Sequence, residues 1–169
     1  PQIIESSIRP LYGRAIRGKL VPISSILEDS GKILIWGDVF DLEKRVTKSG
    51  DKNIFTIDIT DYTGSTTVKV FDNIKDSAIL DSIKKGSTIA VMGDVEYDKY
   101  AGELVVNARG IGTAQKVKVV DKAEKKRVEL HMHTSMSQMD AVTSAGDLIR
   151  RAYEWGHKAV AITDHGVVQ

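Results

Sequence analysis

The hydrophobic and polar positions of this chain change rhythm as it advances. Ile33 to Phe40 is an almost continuous apolar run, and Ile54 to Thr60 then alternates Phe55, Ile57 and Ile59 with Thr56, Asp58 and Thr60. From Thr66 to Phe71 the alternation resumes, with Val68 and Val70 on one side and Lys69 and Phe71 on the other. A period of two is the mark of a half-buried strand. Turns near Ser49-Gly50-Asp51 and at Tyr62-Thr63-Gly64-Ser65 separate these strands, and the second closes a hairpin. After Phe71 the spacing of Ile74, Ala78, Ile79 and Ile83 predicts a helix over Asn73 to Lys85. Its last turn is basic and Gly86 follows, as suits a helix C-terminus. Two more strands, Thr88 to Tyr97 and Glu103 to Arg109, flank a turn at Tyr100-Ala101-Gly102.

Three strands, a helix and two strands is the order of the five-stranded Greek-key barrel called the OB-fold, expected here over residues 32–113. An immunoglobulin-like sandwich would need more strands and no helix. Residues 1–31 hold no sustained period and read as a lead-in segment, with a short helical turn expected at Ser24-Ser25. Residues 114–126 are rich in lysine and read as a solvated linker at a domain boundary. Beyond them, over residues 127–169, comes a strand at Val128 to His133, then a helix at Ala145 to Trp155 with Leu148, Ile149 and Ala152 as its apolar stripe. A second strand follows at Lys158 to Thr163. Such a βαβ unit cannot cover both faces of its own sheet, so this part is expected to be the incomplete start of a larger α/β domain. The fold class is mostly β with an α/β tail.

Composition narrows the chemistry. The chain has 169 residues, no cysteine and a net charge of +1, and the barrel region holds eleven basic against thirteen acidic residues. Disulfides and thiolate metal sites are excluded, so a metal must be held by His, Asp or Glu. Nucleic-acid binding would have to rest on where the cations lie, because the total exerts little pull. No apolar run reaches the length of a membrane span and no secretory signal opens the chain, so a cytoplasmic protein without membrane partners is expected.

The most specific chemistry-bearing signal is Glu129-Leu-His131-Met-His133-Thr134, followed by Asp140 and then Thr163-Asp164-His165-Gly166. Residues two apart on a strand point the same way, so His131 and His133 present their imidazoles together at the strand's C-terminal end. His165 follows the second strand, where a parallel arrangement brings it to the same rim. Neutral imidazoles with a carboxylate from Asp140 suit zinc, manganese or iron. Asp164 is expected to orient an imidazole from behind. His157, after the helix-ending Gly156, is read as a residue of an exposed turn.

Residues Arg127 to Val142, with the phrase Met136-Ser-Gln-Met-Asp-Ala-Val142, and Trp155 to His165 resemble the opening of a PHP domain, in the version found in PolC-type DNA polymerase III alpha subunits. In that family an OB domain directly precedes the PHP domain, and Phe55 to Tyr62 with Val68 to Phe71 is similar to its OB hairpin. The resemblance implies a replicative DNA-directed DNA polymerase, a nucleotidyltransferase using Mg2+, with a proofreading exonuclease inserted in the PHP domain. It also implies further PHP metal ligands and a fragment inactive by itself, with His131, His133, Asp140 and His165 carried over by position. Partners would be single-stranded or template DNA, other domains of the same polymerase and replisome proteins.

For the barrel, strand binding calls for aromatic rings to stack bases and cations to follow phosphates. Lys69 and Phe71 are the first candidates, with Arg45, Lys48, Tyr97, Lys99, Tyr100 and Arg109 at turns or strand ends. Phe71 has a second reading, closure of the barrel beneath the helix. Two other functional classes stay open: a stand-alone metal-dependent PHP phosphoesterase with an OB accessory domain, and a purely structural interaction module.

Overall fold

The computed structural model describes residues 2–47, 50, 52–73 and 79–166 and divides into two units, residues 1–117 and 118–169. Among its described residues the first contains six strands: β1 (Ile3–Gly13), β2 (Lys32–Val46), β3 (Lys52–Thr60), β4 (Ser65–Asn73), β5 (Thr88–Asp98) and β6 (Glu103–Lys116). Strands β2, β3 and β4 form an antiparallel meander, β4 pairs with β6 in parallel, β6 with β5 and β5 with β2 both antiparallel, so the ring closes. That is the OB barrel, and its register follows from the alternation. Phe55, Ile57 and Ile59 on β3 and Val68 and Val70 on β4 are each at most 1% exposed. Burying a side chain of this size contributes about 1.5–3 kcal/mol, so a one-residue slip of the hairpin would forfeit most of the core.

Three features depart from the sequence reading. The lead-in stretch carries β1, which pairs antiparallel with β6 as an edge strand, and Pro10 is tolerated there because an edge strand can spare a donor. The same stretch covers the outer side of β2: Leu20 bridges Leu34 and the Val21 N–H donates to the Leu34 carbonyl at 2.9 Å. This explains why every residue from Ile33 to Val39 is buried instead of every second one. The strands are also longer than their apolar cores, β2 reaching Val46 beyond an irregularity between Val39 and Asp41, and β6 reaching Lys116. Of the helix expected over Asn73 to Lys85, Asn73 ends β4 and Ile74 and Ala78 lie outside the described residues. The remainder contains a 3-10 turn at Leu80–Ser82. Leu80 and Ile83 seal the core there at 0% and 3% exposure, while Ile79 faces out.

Asp61 ties the lead-in stretch to the β3–β4 turn. One carboxylate oxygen accepts the Ile23 N–H at 2.9 Å, which fixes the 3-10 turn Ile23–Ser25. The other accepts the Thr63 N–H at 2.8 Å, the Thr63 hydroxyl at 2.7 Å and the Gly64 N–H at 3.2 Å.

The second unit holds β7 (Glu129–Met132), α1 (Ala145–Glu154) and β8 (Val160–Ile162), with β7 and β8 parallel. Ser144 caps α1: its hydroxyl accepts the Asp147 N–H at 3.1 Å and donates to the Asp147 carboxylate at 2.7 Å. Leu148 and Ala152 are half-covered but Ile149 is 51% exposed, so the covered stripe is narrower than expected. Residues 118–126, expected to be solvated, are mostly exposed, with Val119 and Asp121 tied to residues just past α1. The Trp155 indole N–H donates to the Val119 carbonyl at 2.9 Å, and Lys126 donates to the Asp121 carbonyl at 2.6 Å. His157 sits 3.4 Å from the Asp121 carboxylate with its side chain only 16% exposed, so it is a packed residue of this clasp. Among the described residues no helix is long and apolar enough to cross a membrane.

Candidate metal and nucleic-acid sites

Parallel pairing of β7 with β8 brings both strand ends to one rim. The Thr163 N–H donates to the Met132 carbonyl at 2.8 Å, which sets His131 and His133, leaving β7, beside His165, leaving β8. The His133 and His165 rings lie 4.3 Å apart between centroids, edge to face, and those of His131 and His133 4.8 Å apart. Between the strands the loop turns through Met139, whose φ of 65° is unusual for a side chain of its size, and so returns Asp140 to the rim. Asp140 hydrogen-bonds His133 Nδ1, and the same oxygen lies 3.1 Å from His165 Nε2. The His133 contact first, then that with His165, holds its carboxyl below the ordinary carboxylate value.

His133, Asp140 and His165 each direct one donor atom into a region where the three atoms lie within 4.8 Å of one another. Two imidazole nitrogens and a carboxylate oxygen with no thiolate match the donors of zinc, manganese and iron sites. His131 is not one of this trio but lies beside it, its Nε2 2.8 Å from His133 Nε2.

Among the described residues Asp164 makes no hydrogen bond to an imidazole. It accepts the Thr134 N–H at 2.6 Å, the Thr134 hydroxyl at 2.7 Å and the Ser137 hydroxyl at 2.7 Å, and the Thr134 hydroxyl leads the contacts that hold its carboxyl below the ordinary value. Ser137 in turn accepts the His165 N–H at 3.0 Å. Asp164 therefore fixes the ligand loop and, through Ser137, the backbone of His165. The sequence reading missed Thr134 and Ser137, which are almost fully buried. Their signal was the run of short hydroxyl residues directly after His133.

On the barrel, Lys69 and Phe71 of β4, Tyr97 of β5, and Lys99 and Tyr100 of the β5–β6 turn line one groove of about 490 Å³. Phe71 is 54% exposed, which excludes the barrel-closing reading. Arg45 lies in the same cross-strand row, Arg45 opposite Ile54 and Ile54 opposite Phe71, with its guanidinium on Glu43 at 2.8 Å. Arg109 is ion-paired with Asp94 and does not line the groove. Lys48 lies outside the described residues. Asp98, absent from the sequence-based set, organises the groove: it pairs with Lys69 and accepts the Tyr100 N–H at 2.8 Å and the Ala101 N–H at 3.3 Å. Lys69 foremost, then the Tyr100 N–H, keeps its carboxyl below the ordinary value. An Asp opening a turn two residues before the accepted N–H was the available sign.

Comparison with known proteins agrees with this architecture. The family profile described as the OB-fold nucleic acid binding domain matches residues 34–112, and that of the PHP domain residues 129–169. The DNA polymerase III PolC-type of Clostridium perfringens is 51% identical over 160 residues, covering 94% of this chain and 11% of the relative. The chain belongs to the PolC-type DNA polymerase III family. The Caldanaerobacter subterraneus member is 44% identical over 162 residues, covering 95% of this chain and 11% of the relative, and that of Bacillus subtilis 42% over 150, covering 87% and 10%. The chain thus spans about a tenth of the length of the PolC-type relatives it matches. A solved domain of replication protein A from Methanococcus maripaludis has a TM-score of 0.47 and 20% identity, covering 58% of this chain and 98% of that one.

Proposed function

We propose that this chain is the OB and early PHP portion of a replicative DNA polymerase, DNA-directed and Mg2+-dependent in its full length, and that its barrel contacts the unpaired template strand. The observation that carries the reading is the convergence of three exposed aromatic rings, Phe71, Tyr97 and Tyr100, on one groove of an OB barrel in a PolC-type chain. Each base presents a π-face, so such rings take single strands with little regard to sequence. A duplex hides those faces.

His133, Asp140 and His165, with His131 beside them, would hold a zinc, manganese or iron ion as part of the PHP centre. Such an ion acts as a Lewis acid toward phosphoryl oxygens when bound. The residues of this chain serve to orient it: Asp164 fixes the loop carrying Asp140 and the turn carrying His165. Polymerase relatives along nearly the whole chain favour this reading over a free-standing phosphoesterase. Replisome proteins and other domains of the polymerase are the further partners it implies, in the cytoplasm.

The test is anisotropy of a fluorescent oligothymidylate mixed with the 169-residue chain at low salt, against the same length of duplex. Binding of the single strand with at least tenfold preference over duplex is expected, on the scale of one or two stacked bases. No binding of either would leave the barrel as a structural interaction module and overturn the reading.

A further inference from the structure

The groove on the barrel leaves its rings free and has its inner cation occupied. Phe71, Tyr97 and Tyr100 are 54%, 51% and 103% exposed. Lys69, by contrast, is paired with Asp98, and the two side chains are only 23% and 11% exposed. A phosphate reaching for Lys69 would have to displace a carboxylate that also holds two backbone N–H groups of the turn, and it would do so beside Glu96. The two lysines and two carboxylates lining the groove cancel. Arg45 and Arg109 are likewise occupied, by Glu43 and Asp94. Among the described residues Lys99 is the lysine of the groove with no anionic partner.

We infer that the groove takes the unpaired bases of single-stranded DNA by stacking and makes few phosphate contacts, and that Lys69 is a positioning residue: through Asp98 it holds the β5–β6 turn that presents Tyr100. This rests on the reading that the barrel contacts single strands. A conventional basic cleft releases a counterion for each phosphate it neutralises, which steepens the fall of affinity with salt by about 0.7 log units per contact on single strands. With Lys99 the groove's one lysine without an anionic partner among the described residues, a slope of about −0.7 is expected. Stacking supplies the rest of the affinity.

The experiment is a salt series by anisotropy on the full chain with a fluorescent oligothymidylate of roughly ten nucleotides, using wild type, Lys69→Ala, Lys69→Arg, Lys99→Ala and Tyr100→Ala, each checked for folding by its melting curve. Tyr100→Ala is expected to weaken binding about tenfold with the slope unchanged. Lys99→Ala is expected to flatten the slope toward zero. Lys69→Ala is expected to weaken binding while keeping the wild-type slope, and to speed hydrogen exchange at the Tyr100 and Ala101 amides. Lys69→Arg, which preserves the ion pair, restores both. A wild-type slope steeper than about −2, a Lys69→Ala slope flatter by the full increment of one phosphate, or a Tyr100→Ala affinity within twofold of wild type would each overturn the inference while leaving strand binding intact. Absence of any wild-type binding at low salt would instead overturn the reading beneath it.

Discussion

Replacing Asp61 by alanine should cost the barrel about 3 kcal/mol, a figure assembled from the donors it satisfies. The residue is 4% exposed and accepts from three backbone N–H groups and one hydroxyl. The Ile23 N–H is the most costly to abandon, because its hydrogen bond is buried and the residue itself is 5% exposed, so water cannot replace the acceptor. Leaving a buried donor unmet costs about 1–3 kcal/mol, at the upper end when the lost acceptor is ionised. The donors on Thr63 and Gly64 lie nearer solvent and add about 1 kcal/mol together once rehydrated. Asparagine should rescue little. If its oxygen serves the Thr63 and Gly64 donors, its amide N–H2 must face the Ile23 N–H, donor against donor.

The measurement is a urea titration and a thermal melt followed by circular dichroism. The expected loss is about 3 kcal/mol, or roughly 10 °C in Tm for a unit of this size. Acid titration supplies a second readout with a determined sign. Burial alone would raise the Asp61 carboxyl, but the hydrogen bonds from Ile23, Thr63 and Gly64 outweigh it and the folded pKa is lowered. The stabilisation is therefore complete above the unfolded value near 4 and is lost as pH falls through the folded value. The wild type should lose stability below about pH 4 through this group, and the alanine variant should lack that component. A loss under about 0.5 kcal/mol, or an acid limb identical in the two proteins, would refute the account.

Other perturbations test the remaining parts of the structure. Alanine at Gly110 would place its Cβ 2.3 Å from the Arg14 carbonyl oxygen, so the backbone just after β1 must shift; a loss of about 1–3 kcal/mol is expected in urea unfolding, with Gly31→Ala as a control whose added Cβ meets no atom but whose φ of 61° still carries strain. Calorimetric titration with Mn2+ or Zn2+ should detect binding that Asp140→Ala and His133→Ala abolish, and equal heats from wild type and both variants would remove those residues from the metal site. Asp164→Ala, which frees the Thr134 and Ser137 hydroxyls without deleting a candidate ligand, should weaken the same binding about tenfold or more. Asp121→Ala, which removes the carboxylate between Lys126 and His157, should loosen residues 118–126 and be read as faster proteolysis at the lysines of that stretch, with unchanged cleavage as the contrary result.

How much of this was legible in the sequence depends on whether a residue's neighbours are local. The β3–β4 hairpin could be read because each strand buries one face and its period of two survives into the structure. The shared rim of the histidines could be read because a strand fixes the direction of His131 and His133, and parallel pairing follows from the βαβ order. β1 escaped because an edge strand with Pro10 buries little beyond Ile3 and shows no alternation, although Gly110 and Gly112, two apart within β6, marked the close approach of another backbone. The groove shows the same limit in its most consequential form. Its aromatic rings announced themselves by type and position, but whether Lys69 is available to a phosphate depends on Asp98, twenty-nine residues away in the chain and brought alongside by the parallel β4–β6 pairing and the β5–β6 turn. Composition counted that lysine as a free positive charge. In the folded barrel its charge is committed to holding a turn, so the chemistry of the face shifts from cations toward rings.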